Sequence, residues 1–134
     1  MIVVDTNVVA YAVLPGTRTA AALALAERDP DWLAPGLWRH ELRNVLATLM
    51  RARGLTLSQA LAAFAAAEQL VTDAPAEPTT EERLRFAARG RVSAYDAEFV
   101  CVAEALGAAL VSSDRRLVRA FPRRVVLLED VPAV

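Results

Sequence analysis

Four carboxylates interrupt the apolar runs of this sequence where a buried segment has little use for a charge. Asp5 ends the run IVVD at 2–5, Glu41 lies in RHELRNVL, Asp96 in SAYDA, and Asp114 follows LVSS. Each has a local reading. Asp5 could cap the helix after it. Ser93 and Asp96 have the spacing of a capping box, and Asp114 could act as a cap after Ser112 and Ser113. Glu41 could pair with Arg39 or Arg43. Taken as a set, four inward acids are costly unless a cation neutralises them. The chain has no lysine and few arginines placed to turn inward. A divalent metal is the natural partner, and all-oxygen ligation selects Mg2+ or Mn2+.

The elements that must position these acids follow from periodicity. IVVD (2–5), DWLAP (31–35), AALVS (108–112) and RVVLL (124–128) read as short strands, and the turn-rich 73–80 stretch has room for another. Between them lie helical patterns: 6–13 closed by Pro15-Gly16, 17–28 capped by Thr17, 36–54 ending at Gly54, 55–71 entered through Thr56 or Ser58, 80–90, 93–107, and a short one over 114–121. Alternating short apolar strands and helices predict an α/β fold with a central parallel sheet covered on both faces. In such sheets ligands gather at the strand carboxyl ends, where Asp5 and Asp114 fall. At about 100° per residue, Asp96 lines up with Val100 and Ala103, whereas Glu98 points away as a solvated charge. Glu41 lies on the flank of the stripe Trp38, Leu42, Val45 and Leu49, apart from His40 and Asn44 on the outer face.

With 134 residues, 55% of them hydrophobic and 23% charged, the chain is expected to form a single domain over 1–134 with a substantial core. No apolar run reaches the roughly 20 uncharged residues that span a bilayer. No signal-peptide pattern is evident. The single cysteine, Cys101, suits a reducing compartment, so a cytoplasmic protein without membrane contact is expected. Net charge is −1, but all 15 basic residues are arginine. Arginine grips phosphate in a bidentate fork, although compositional bias accounts for the preference equally well.

The order and spacing of VVDTN, the helical Glu41 in RHELRNVL, SAYDA (93–97) and LVSSDRRL (110–117) resemble the PIN-domain family of metal-dependent nucleases. Within it they most resemble the VapC-type toxins of bacterial toxin–antitoxin pairs. The likeness covers nearly the whole chain; one departure is Ser112-Ser113-Asp114 where T-x-D is common, and it retains a hydroxyl. The resemblance implies a three-layer α/β/α sandwich and Mg2+- or Mn2+-dependent endonucleolytic cleavage of RNA. Asp5 and Asp96 would be the most direct ligands, with Glu41 and Asp114 completing the cluster directly or through water. Thr6, Asn7 and Ser112 would orient those carboxylates. A bound cation lowers the pKa of its water and stabilises charge on the phosphate under attack, so no histidine base is needed.

For RNA, Arg115 and Arg116 are the nearest backbone contacts, with RARG (51–54), RFAARGR (85–91) and the rest of 114–124 as further candidates. A solvated surface explains these arginines equally well. The resemblance also implies a homodimer neutralised by a small antitoxin, for which Trp32, Trp38, Leu57, Leu61 and Phe64 are candidate apolar contacts. Other enzyme classes fit poorly. A haloacid-dehalogenase-type site wants an acid where Asn7 stands, and a receiver domain wants a lysine. Neither a P-loop nor a G-x-G-x-x-G loop is present. The alternative from another class is a non-catalytic module of the same fold that binds RNA or a protein.

Overall fold

In a computed structural model, which describes residues 1–132, three-residue strands carry the sheet. Positions 133 and 134, the end of the single domain expected over 1–134, lie outside the described residues. The strands are β1 (Ile2–Val4), β2 (Trp32–Ala34), β3 (Val71–Asp73), β4 (Leu110–Ser112) and β5 (Val125–Leu127). All pair in parallel in the order β3-β2-β1-β4-β5. Parallel strands need helical crossovers and are covered on both faces, which favours continuous apolar runs. Val3, Val4 and Leu110 accordingly have no exposed surface.

The crossovers are α1 (Thr6–Val13), α2 (Thr19–Arg28), α3 (Leu37–Arg53), α4 (Leu57–Leu70), α5 (Thr80–Gly90), α6 (Ala94–Leu106) and α7 (Arg115–Ala120). One group forms where α1 packs on α2, α3 and α4; the other pairs α5 with α6, which lies against β1 and β4. The result is the expected three-layer α/β/α sandwich. The lengths of α4 and α5 are set by capping boxes, Thr56 with Gln59 and Thr79 with Glu82. A left-handed Gly54 ends α3, and Gly107 does the same for α6. Both are conformations glycine adopts without penalty.

Several sequence expectations are corrected. The helix expected over 55–71 stops at Leu70, and the hidden strand is 71–73 rather than within 73–80. Its register, Trp32↔Val71 and Ala34↔Asp73, is a tertiary pairing that helical periodicity cannot register. Thr17 is not a cap: α2 starts at Thr19 behind Arg18 without a side-chain cap, and Thr19 Oγ1 donates back to Leu14 O at 2.6 Å. Glu98 is not a solvated charge; it is 14% exposed and accepts from Arg83 Nε at 2.6 Å, tying α5 to α6. Trp32 and Trp38 are core residues, 1% and 0% exposed, and Phe64 stacks on Trp38 at 5.8 Å. Of the expected apolar contacts only Leu57 and Leu61 stand clear of the core, each 62% exposed. Cys101 is a buried free thiol, and burial pushes it up to about 11.

Candidate active site

Chain order reverses at the centre of the sheet. From β1 the chain moves outward to β2 and β3, then returns to the other side for β4 and β5. Open α/β sheets keep their ligand crevice at such a point, beyond the strand carboxyl ends. Two residue groups meet there because β1 and β4 are neighbours in the register Val4↔Val111. The Asp5 N–H donates to Val111 O at 3.1 Å, which extends the ladder by one step and fixes the Asp5 backbone.

Asp5 serves as the α1 cap, with Val8 N donating to Oδ1 at 3.1 Å. Its other oxygen, Oδ2, accepts from the hydroxyl of Ser112. Ser112 is fully buried and in turn accepts from the Asp114 N–H at 3.0 Å. One hydroxyl thus joins the ends of β1 and β4. Thr6, also buried, donates to Glu41 Oε1 at 2.7 Å and joins α1 to α3. Glu41 therefore pairs with neither neighbouring arginine: Arg39 goes to Asp73 and Glu68, and Arg43 lies over Phe64. On α6, Ser93 accepts from the Asp96 N–H at 3.0 Å. Here only this half of a capping box forms, whereas both halves form on α4 and α5.

Asp5, Glu41 and Asp96 line one cleft of about 470 Å3, with Thr6 and Asn7 between them. Burial places all three in a shared, poorly solvated environment. Burial pushes Asp5 up to about 6, against the Ser112 hydroxyl and the backbone N–H groups of Val8 and Ser113, with the charge of Asp96 adding to the rise. Burial also raises Glu41, opposed by Thr6 and reinforced by Asp96 and Glu98. Asp96 rises through burial and the neighbouring Asp114, while Ser93 and Arg116 pull the other way. Like charges gathered with little water call for a cation.

Asp114 stands apart from the other three. It caps α7 through the Arg116 N–H at 2.8 Å and acts on the cleft through its charge on Asp96 rather than by lining it. Arg116 is close enough to Asp96 to affect it electrostatically; Arg115 is exposed on the same short helix. His40 and Asn44 are exposed, as the outer face of α3 requires, and both also line the cleft. A helical wheel separates core from non-core and is blind to whether the non-core side meets bulk water or a cleft. Tyr95, 63% exposed at the cleft wall, is an addition that its place beside Asp96 in SAYDA could have flagged.

Among the described residues, no three His, Cys, Asp or Glu side chains are close enough to form a ready-made metal cage. Mg2+ seldom uses one: it keeps several waters and takes one or two carboxylates. Asp5 and Asp96, with Glu41 steadied by Thr6, match that open, all-oxygen pattern.

The family model for the PIN domain matches residues 2–121, so the chain belongs to the PIN-domain family. Two solved structures share its fold. PAE2754 from Pyrobaculum aerophilum is 20% identical, with a TM-score of 0.79 over 96% of this chain and 89% of that one. FitAcB from Neisseria gonorrhoeae is 17% identical, with a TM-score of 0.71 over 98% of this chain and all of that one. No curated protein matches the sequence.

Proposed function

We propose that this PIN domain is a Mg2+-dependent endoribonuclease, with Mn2+ able to substitute, and that it is the VapC-type toxin of a type II toxin–antitoxin pair in the cytoplasm. The observation that carries the reading is the convergence of Asp5, Glu41 and Asp96 on one cleft where burial raises all three. The cation, when bound, supplies an activated water and charge stabilisation on the phosphate. The chain's residues do the rest. Ser112 and the α1 backbone hold Asp5 fixed, Thr6 holds Glu41, and Asn7 offers an amide at the cleft wall. Arg116, beside Asp96, is the cation best placed for an RNA phosphate, with Arg115 next to it. Tyr95 offers an exposed ring on which a base can stack.

As a toxin the chain would act as a homodimer and be held by an antitoxin. Leu57 and Leu61, one turn apart on α4 and both exposed, provide an apolar strip for such a protein. Among the described residues no helix is long and apolar enough to cross a membrane. The alternative is a PIN-fold module that binds RNA or a protein without turnover. Cleavage of total cellular RNA by the purified chain decides between them, run with Mg2+, Mn2+ and EDTA beside Asp5→Ala. Metal-dependent fragments lost in the variant support the ribonuclease. Intact RNA under every condition supports the module.

A further inference from the structure

The acidic cleft shares a wall with a second cavity of about 430 Å3. Asn7 and Val45 border both, so the two cavities adjoin and together form a groove, in two parts, from the carboxylates to the α1–α2 connection. The chemistry changes along it. Among the described residues no acid lines the far end; Tyr11 and Arg18 stand there beside the apolar Ala10, Leu14 and Leu49.

Arg18 is positioned rather than loose. Its guanidinium carbon lies 5.3 Å from the centre of the Tyr11 ring, and Nη1 donates to the Tyr11 hydroxyl at 2.8 Å. That hydroxyl donates to Ser113 Oγ at 3.3 Å. Ser113 lies between Ser112 and Asp114, so two hydrogen bonds connect the cation to the strand end that carries the acid site. A guanidinium has five N–H donors, and Tyr11 takes one. The acid in reach is Glu129, 3.6 Å from Nη2, with both side chains more than two-fifths exposed. Such a long, solvated contact holds a charge weakly.

We infer that this end of the groove is a binding subsite for an RNA nucleotide flanking the scissile bond, in which Arg18 takes the phosphate and the apolar wall takes the base. The inference rests on the ribonuclease reading. Three features favour a nucleic acid here: a prearranged arginine fork suited to a phosphate, an apolar surface beside it, and a wall shared with the cleft that would hold the neighbouring phosphate. Because Arg18 already rests on Tyr11, little side-chain freedom is lost on binding.

The test measures binding of a fluorescent pool of random-sequence, single-stranded 12-nucleotide RNAs by anisotropy, in Mg2+, across a range of salt concentrations. The full chain carries Asp5→Asn so that the RNA is not consumed. Adding Arg18→Ala is expected to weaken binding roughly tenfold and to lower the slope of log K against log salt by about 0.7, the value for one phosphate on a single strand. Glu129→Gln, which releases Arg18 from its acid, is expected to tighten binding, whereas Glu27→Gln on the exposed face of α2 is not. The Glu129 variant decides the matter if Arg18→Ala does not fold. RNA binding unchanged by both substitutions overturns the subsite, leaves the cavity to a protein segment, and leaves the ribonuclease reading intact. If the parent binds no RNA and the unsubstituted chain cleaves none, the ribonuclease reading fails and the subsite with it.

Discussion

Burial lifts the Asp5 carboxyl from 3.8 to about 6, against the opposing pull of Ser112, Val8 and Ser113. A rise of that size corresponds to about 3 kcal/mol set against the ionised form. Its sign follows from counting protons. Between about pH 4 and pH 6 the folded chain keeps a proton on Asp5 that the unfolded chain has released, so stability falls as pH rises through this window. The penalty is absent below 3.8 and fully present, and constant, above 6. Asp5→Asn removes the charge and keeps the cap, since Asn caps helices as well as Asp and can still accept from the Val8 N–H. The bonds from Ser112, Val8 and Ser113 to the carboxylate are already counted within that rise, so nothing more is subtracted for them. The variant is therefore expected to be more stable than the parent by about 3 kcal/mol at pH 7.5 in EDTA, with the advantage gone near pH 4. Urea titrations at the two pH values measure this directly, provided the slopes match. The same variant should lose RNA cleavage. Equal stability differences at both pH values, or a less stable variant at pH 7.5, would refute the electrostatic reasoning.

Removing the hydroxyls that hold the acids gives effects of the opposite sign. Ser112→Ala strips one bond from Asp5 and leaves the Asp114 N–H without its acceptor, an expected loss of about 2 kcal/mol read as a lower urea midpoint. Thr6→Val keeps the shape but frees Glu41; it should raise the Glu41 carboxyl further and weaken Mn2+ binding by roughly tenfold, measured by calorimetry at pH 7. Away from the cleft, Arg83→Ala leaves the half-buried Glu98 unpaired and should cost about 1–3 kcal/mol, much of it restored by adding Glu98→Gln. Gly90→Ala would place a Cβ 2.4 Å from the Phe121 ring, and moving that packed ring should cost about 1–3 kcal/mol.

Strand runs such as IVV and ALVS announce themselves because a strand buried on both faces needs apolar residues at every position. The residues VTD do not: β3 is an edge strand with only Val71 buried, and its identity depends on pairing with β2, 39 residues earlier in sequence. The burial of Glu98 is invisible on its own helix for a similar reason, since its partner Arg83 sits on a different one. The acid set was legible because each member breaks a local pattern: Asp5 and Asp114 at strand ends, Asp96 on an apolar face, Glu41 on a flank. Thr6 and Ser112 were legible as supports through adjacency to those acids. His40, Asn44 and Tyr95 were not, because a cleft wall is created by how helices meet, and no single helix encodes it. Arg18 and Tyr11 became visible only when the fold brought the α1–α2 connection against Ser113.

Mn2+ titration calorimetry on the metal-free chain, beside Asp96→Asn and Glu41→Gln, bears most directly on whether the cleft is a metal site. Binding at neutral pH that weakens as pH falls toward 6, and that either substitution sharply reduces, is the expected result. The pH trend follows from carboxyls raised by burial taking up protons that compete with the ion. Mn2+ binding that is absent, or indifferent to both substitutions, would contradict a metal-dependent nuclease centred on these acids.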